Sequence, residues 1–117
     1  MEKNFVVYGI PNCDTVKKSR AWFTAQGIAV EFHDFKKQGV PQAALERWIQ
    51  VLGWEAMVNK KGTTWRKLSL AQKEVVVDAA AAIALMLRES SVIKRPVVEG
   101  AGMLTVGFAP EQWIMKA

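Results

Sequence analysis

A single cysteine, a single histidine and a single tyrosine stand among the 117 residues, and these scarcities exclude several classes at once. One cysteine closes no intrachain disulfide, so a disulfide-stapled secreted scaffold is excluded. The lone histidine, His33, lies on a β-favouring run beside Asp34 and lacks the partners of a metal site, so its expected role is structural. There is no Gly-rich phosphate loop and no Ser/His/Asp set. Long hydrophobic runs are also missing. The most apolar stretch, residues 79–87, is bounded by Asp78 and Arg88 and falls far short of the ~20 residues that cross a bilayer, so it reads as a buried helix. Residues 1–4 lead into only a short apolar run, unlike a signal-peptide core. A cytoplasmic location, without membrane partners, is the expectation.

What is present is core material. Half the residues are apolar and five are Trp, in a chain of a length that buries roughly 65% of its unfolded surface, so one domain over residues 1–117 is expected without metals. The formal net charge of +5 favours anionic partners. The cations come as scattered pairs (Lys17-Lys18, Lys36-Lys37, Lys60-Lys61, Arg66-Lys67, Lys94-Arg95) rather than as one tract, which reads as a solvated basic surface and not as a nucleic-acid patch.

The residue patterns order the chain. A β-favouring run at Phe5–Tyr8 stops at Gly9-Ile10-Pro11-Asn12, a helix follows from Asp14 to about Gln26 with Gly27 as its C-cap, and Val30 to Phe35 returns to strand. That βαβ unit places its strands parallel. Pro41 opens a second helix whose Leu45, Trp48, Ile49 and Leu52 share one stripe, and Gly53 ends it. Residues 54–67 read as irregular and basic. Ser69 and Gln72 form a capping box that opens a third helix running to about Leu87, nearly enclosed after Asp78. Val97–Glu99 and Met103–Val106, joined across Gly100 and Gly102, read as a hairpin, and a last helix begins near Pro110. The class is α/β: a mixed sheet with helices on its faces and a helical insert at about 41–68.

Cys13 is the residue with chemistry in reach. It stands where a strand ends and a helix begins, and there the free N–H groups and the helix dipole favour a thiolate. Lys17, one turn on, adds positive charge to the same helical face.

Four segments together carry a resemblance: residues 8–18 (YGIPNCDTVKK), residues 60–65 (KKGTTW), residues 93–96 (IKRP) and residues 106–108 (VGF). The sequence resembles the arsenate reductase-like (ArsC/Spx) family, most closely its YffB branch, over nearly its whole length. The resemblance implies a thioredoxin-like fold with a helical insertion and Cys13 as the catalytic thiol. It implies that Pro96 is a cis-proline beside that cysteine, presenting backbone groups to an extended substrate. It also implies that Arg95 binds the anionic intermediate, with Asn12 and Lys60 completing the substrate-binding set.

Two departures shape the expected activity. A CxxC pair would need cysteine at position 16, where the chain has Val16, so no internal resolving thiol exists. Of the three arginines that arsenate reductases of the glutathione/glutaredoxin type place around the thiolate, the first matches Lys60, the second Arg95 and the third falls near Gly107; lysine does not reproduce the planar arginine fork. The expected function is therefore that of a glutathione-dependent monothiol reductase with no bound cofactor. Glutathione serves as co-substrate, its carboxylates suiting Lys60 and Arg95. The alternatives are an Spx-like protein-binding module of transcription regulation and a weak arsenate reductase.

Overall fold

The structure, a computed structural model, describes residues 5–116. The chain gathers into two compact units, one formed by the described parts of Met1–Gln38 and Arg95–Ala117, the other by Gly39–Lys94.

The first unit is built on a four-stranded mixed sheet in the order β2-β1-β3-β4. Its strands are β1 (Phe5–Gly9), β2 (Val30–Asp34), β3 (Val97–Gly100) and β4 (Met103–Val106). β1 pairs parallel with β2, with Val7 opposite Phe32, and antiparallel with β3, with Val7 opposite Val98. The parallel pair is the expected one, because the crossover α1 (Asp14–Ala25) returns the chain to the same edge of β1. Strand alternation turns Phe5, Val7 and Val98 to one face, where they enclose a core with Phe23 of α1 and Trp113 of α8 (Pro110–Lys116). The rings meet closely, Phe23 and Trp113 with centroids 4.9 Å apart, and the Trp113 indole N–H donates to the Thr105 hydroxyl at 2.8 Å, so the one polar atom of the buried ring is satisfied. The hairpin turns through Ala101 and Gly102, both at positive φ. Strand β2 is one residue shorter than expected: Phe35 opens a single turn, α2 (Phe35–Gln38), because the Asp34 carboxylate accepts the N–H groups of Lys36 and Lys37 and bends the backbone there. His33 packs its ring 5.1 Å from that of Tyr8.

The second unit is helical. α3 (Gln42–Leu52) buries Ala44, Leu45, Trp48 and Ile49, and Gly53, at φ +86°, sends its N–H back to the Ile49 carbonyl. Residues 54–67 are more regular than the sequence suggested, since two short helices, α4 (Trp54–Met57) and α5 (Thr63–Lys67), form there. The third helix departs from expectation more strongly. The Ser69/Gln72 capping box is present, but the helix it opens, α6 (Leu70–Glu74), stops before three consecutive valines, and Asp78 caps a separate helix, α7 (Ala79–Arg88), by accepting the Ala81 N–H at 2.9 Å. β-branched residues lose side-chain freedom in a helix, so a break at Val75–Val77 costs little, while Asp78 supplies the new start. Nor is α7 enclosed: it buries Ala82, Leu85 and Met86 and leaves Leu87 exposed. An exposed alanine costs almost nothing, which is why an all-apolar run need not be buried on every side. The expected insert over residues 41–68 lies inside this unit, which continues through a 3-10 turn at Ser90–Val92 to Lys94. No helix of the described residues is long and apolar enough to cross a membrane.

Candidate active site

The approach of β1 to α1 sets the position of Cys13. A Cβ built on Gly9, the last residue of β1, would lie 2.8 Å from Val16 Cγ2, closer than real side chains come, so glycine is what lets the strand end sit against the first turn of the helix. Val16 is fully buried there. The position that would hold the second cysteine of a CxxC pair is thus a core position.

Cys13 itself is the N-cap of α1, with extended backbone, and its carbonyl accepts the Lys17 N–H at 2.9 Å. Its side chain is half-buried. Partial burial pushes the thiol up, but the Val16 N–H, the hydrogen bond and charge of the Arg95 guanidinium, and the Thr15 N–H together outweigh it, and the thiol sits below its ordinary range. No cap hydrogen bond closes on the sulfur as it stands, so the two N–H groups act as donors oriented towards the anion rather than as a formal cap of the neutral thiol. Of the two cations expected at the sulfur, Arg95 acts on it, as the resemblance implied, while Lys17, one turn along the helix, is not among the groups that lower the thiol.

Arg95 is presented by the segment that enters β3, and the Arg95-Pro96 bond is cis, as expected from the resemblance. Pro96 is buried and its carbonyl accepts the Gly107 N–H at 2.8 Å. Gly107 adopts φ +87°, a backbone state that disfavours any side chain, so the position matching the third family arginine is set aside by geometry as well as by sequence. Asn12 is exposed in the loop immediately before Cys13. The structure thus brings Cys13 and Arg95 together, with Asn12 and Pro96 their chain neighbours.

Lys60 belongs to the helical unit. It lies between α4 and α5, its ammonium 5.7 Å from the Trp54 ring centre and 5.5 Å from that of Trp65, a pairing the sequence hinted at only through the spacing of two Trp around two Lys. The backbone N–H groups of Thr15 and Val16 are site components that no side-chain motif announces. The described residues contain no group of three or more His, Cys, Asp or Glu able to hold a metal ion.

The model of the ArsC family matches residues 8–115 of the chain. The protein belongs to the ArsC family. Among solved structures, the YffB protein is 46% identical over 96% of this chain and 97% of its own, with a TM-score of 0.89. An arsenate reductase (ArsC) related protein from Brucella melitensis is also 46% identical, over 96% of this chain and 92% of its own, with a TM-score of 0.75. An uncharacterized protein of Haemophilus influenzae is 35% identical over 107 residues, 92% of this chain and 93% of its own. The fold is accordingly the thioredoxin-like one expected from the sequence, that of the ArsC thiol-based reductases.

Proposed function

We propose that this ArsC-family protein is a glutathione-dependent monothiol reductase acting through Cys13. The observation that carries the reading is the environment of the sulfur: a half-buried thiol with Arg95 and the N–H groups of Thr15 and Val16 directed at it, held below the ordinary thiol range. Thiolate is the form that attacks a disulfide. In the first step the Cys13 sulfur forms a bond to one sulfur of the oxidised substrate, whose S–S bond breaks and releases the other sulfur as a thiolate. In the second, an external thiolate attacks the substrate sulfur of the mixed disulfide and Cys13 leaves as thiolate; the new disulfide joins the external thiol to that substrate sulfur, and a second external thiol resolves it by the same exchange, giving the disulfide of the external thiol and the second substrate thiol. An external thiol is required because position 16 is Val16, buried in the core.

Glutathione suits the second step through its carboxylates. Arg95 is the proposed partner of one, and the backbone beside Pro96 the proposed edge for the extended tripeptide, with Asn12 on the approach. Lys60 enters only through the family pattern of basic positions. Arsenate should be a poor substrate, since lysine replaces one expected arginine and Gly107 another.

Incubation with oxidised glutathione, followed by mass spectrometry, tests the reading. A glutathione adduct confined to Cys13 is expected, and Arg95→Ala should slow its formation by roughly tenfold relative to the exposed-surface change Lys37→Ala if one charge-assisted bond is lost. Equal rates for the two variants would make Arg95 structural and remove the glutathione site.

A further inference from the structure

Lys18 of α1 is an exposed lysine whose ammonium lies 4.2 Å from the ring centre of Phe108. That ring is half-buried and held from behind: it meets Trp113 edge-on with centroids 5.5 Å apart and packs against the aromatic core of the sheet unit. A cation seated on a fixed aromatic face has given up much of its side-chain freedom before any ligand arrives. The donors that point away from the ring stay available. The place of Phe108 in the chain matters too. It follows Gly107, whose N–H donates to the Pro96 carbonyl at 2.8 Å, and Pro96 follows Arg95, the cation that acts on the Cys13 sulfur. One hydrogen bond therefore ties together the two segments to which Arg95 and the seat of Lys18 belong. Lys18 starts only about 7 Å along the helix axis from Cys13, and side chains leave a helix leaning towards its N-terminus, the end that carries the thiol.

We infer that Lys18 is a specificity-determining residue of the thiol site, its ammonium taking the second carboxylate of the tripeptide whose first carboxylate Arg95 holds. The inference rests on the reading of Cys13 as a glutathione-dependent thiol. Glutathione carries its reacting sulfur on the middle residue and a carboxylate at either end, so its recognition calls for two cations set apart rather than a single charged point. Arg95 and Lys18 meet that need from different elements of one unit, the first at the entry to β3 and the second on α1. Lys60, the other basic position expected to serve, belongs to the helical unit and rests between two indoles. A single carboxylate bound by a lysine needs no planar fork, so lysine suffices here. A thiol or disulfide without carboxylates gains nothing from Lys18, and the residue thereby favours the dicarboxylate peptide over simpler partners of the same sulfur chemistry.

Rates of adduct formation on Cys13, followed by mass spectrometry on the full chain, test this with two disulfides: oxidised glutathione and bis(2-hydroxyethyl) disulfide, which bears no carboxylate. In both cases the Cys13 sulfur bonds to one sulfur and the other leaves as thiolate. Lys18→Ala should slow the glutathione reaction by roughly threefold to fivefold, the loss of one exposed ion pair, and leave the hydroxyethyl reaction unchanged. Lys18→Arg should keep the original rate with both. Lys17→Ala removes the same charge from the adjacent position and should slow the glutathione reaction less than Lys18→Ala does. The pH midpoint of iodoacetamide alkylation should be the same in Lys18→Ala as in the unaltered protein, because the thiol itself is untouched. Equal slowing by Lys17→Ala would reduce the effect to diffuse positive charge and overturn the assignment. Equal slowing of the two disulfides, or a shifted midpoint, would overturn it in favour of a structural role. If Lys18→Ala is without effect while Arg95→Ala still slows the adduct, this assignment falls and the glutathione reading stands. If no adduct forms on Cys13 at all, both fall.

Discussion

The sheet unit and the helical unit solve the problem of stability in different ways. The sheet unit concentrates its burial in a few large rings, Phe5, Phe23 and Trp113, and satisfies the buried indole with Thr105. The helical unit buries one large ring, Trp48, and otherwise spreads its burial over aliphatic and methionine side chains such as Leu45, Met57, Leu85 and Met86; it leaves Val51, Leu70, Val75, Val77 and Leu87 exposed, as the sheet unit leaves Ile114 and Met115. Ring packing with a satisfied polar atom defines one arrangement closely. Short helices with interchangeable aliphatic contacts define it less closely. The difference bears on function: the proposed nucleophile stands on the closely defined unit, where the N–H groups and the guanidinium that favour its thiolate are held in place.

The comparison is broken most completely at the sulfur. Cys13→Ser should abolish thiol reductase activity in a glutathione-coupled assay while leaving the circular dichroism spectrum and melting temperature nearly unchanged, because serine caps a helix at least as well as cysteine. In the aromatic core, Phe23→Ala should cost about 3–5 kcal/mol by denaturant titration, through lost burial and the cavity left against Trp113. A value under ~1 kcal/mol would mean that the sheet core repacks as freely as the helical unit is expected to.

The junction of strand and helix is the next place to look. Gly9→Ala should cost about 1–3 kcal/mol, because the new methyl group meets the buried Val16 and the first turn of α1 must move. The same change should raise the pH midpoint of Cys13 alkylation, since the Thr15 and Val16 N–H groups move with that turn. The sign follows from the thiolate being the reactive form: its fraction grows as pH rises through the thiol pKa, and a lowered pKa moves that rise to lower pH. Arg95→Ala removes both a hydrogen bond and a charge from the anion and should therefore shift the midpoint upward as well. An unchanged midpoint in iodoacetamide kinetics would assign the lowering to the helix terminus alone.

The smallest effect belongs to the helical unit. Asp78→Ala removes the cap of α7 and should cost about 1 kcal/mol by thermal unfolding. A larger loss would show that the break at Val75–Val77 is held by that cap.

Local chemistry written in the chain determined much of this protein. The strand run at residues 5–9, the helix start at Cys13, the glycine stops at Gly27 and Gly53, the Ser69 capping box and the hairpin around Gly102 all stand where period and punctuation put them, because each is decided by contacts a few residues apart. The single cysteine and Val16 likewise decided, by residue identity alone, that no second thiol follows Cys13 within a CxxC motif. What the tertiary structure decided is what depends on distant partners. A helical period cannot tell which of two good caps wins, so the division of residues 70–88 into α6 and α7 was not legible, nor was the exposure of an all-apolar helix whose small side chains need no cover. Spacing along the helix offered Lys17 as the cation beside the thiol, and only the family resemblance pointed to Arg95. Arg95 supplies the charge, because sheet pairing brings a segment distant in the chain to the head of α1, and charge acts through space rather than along the chain.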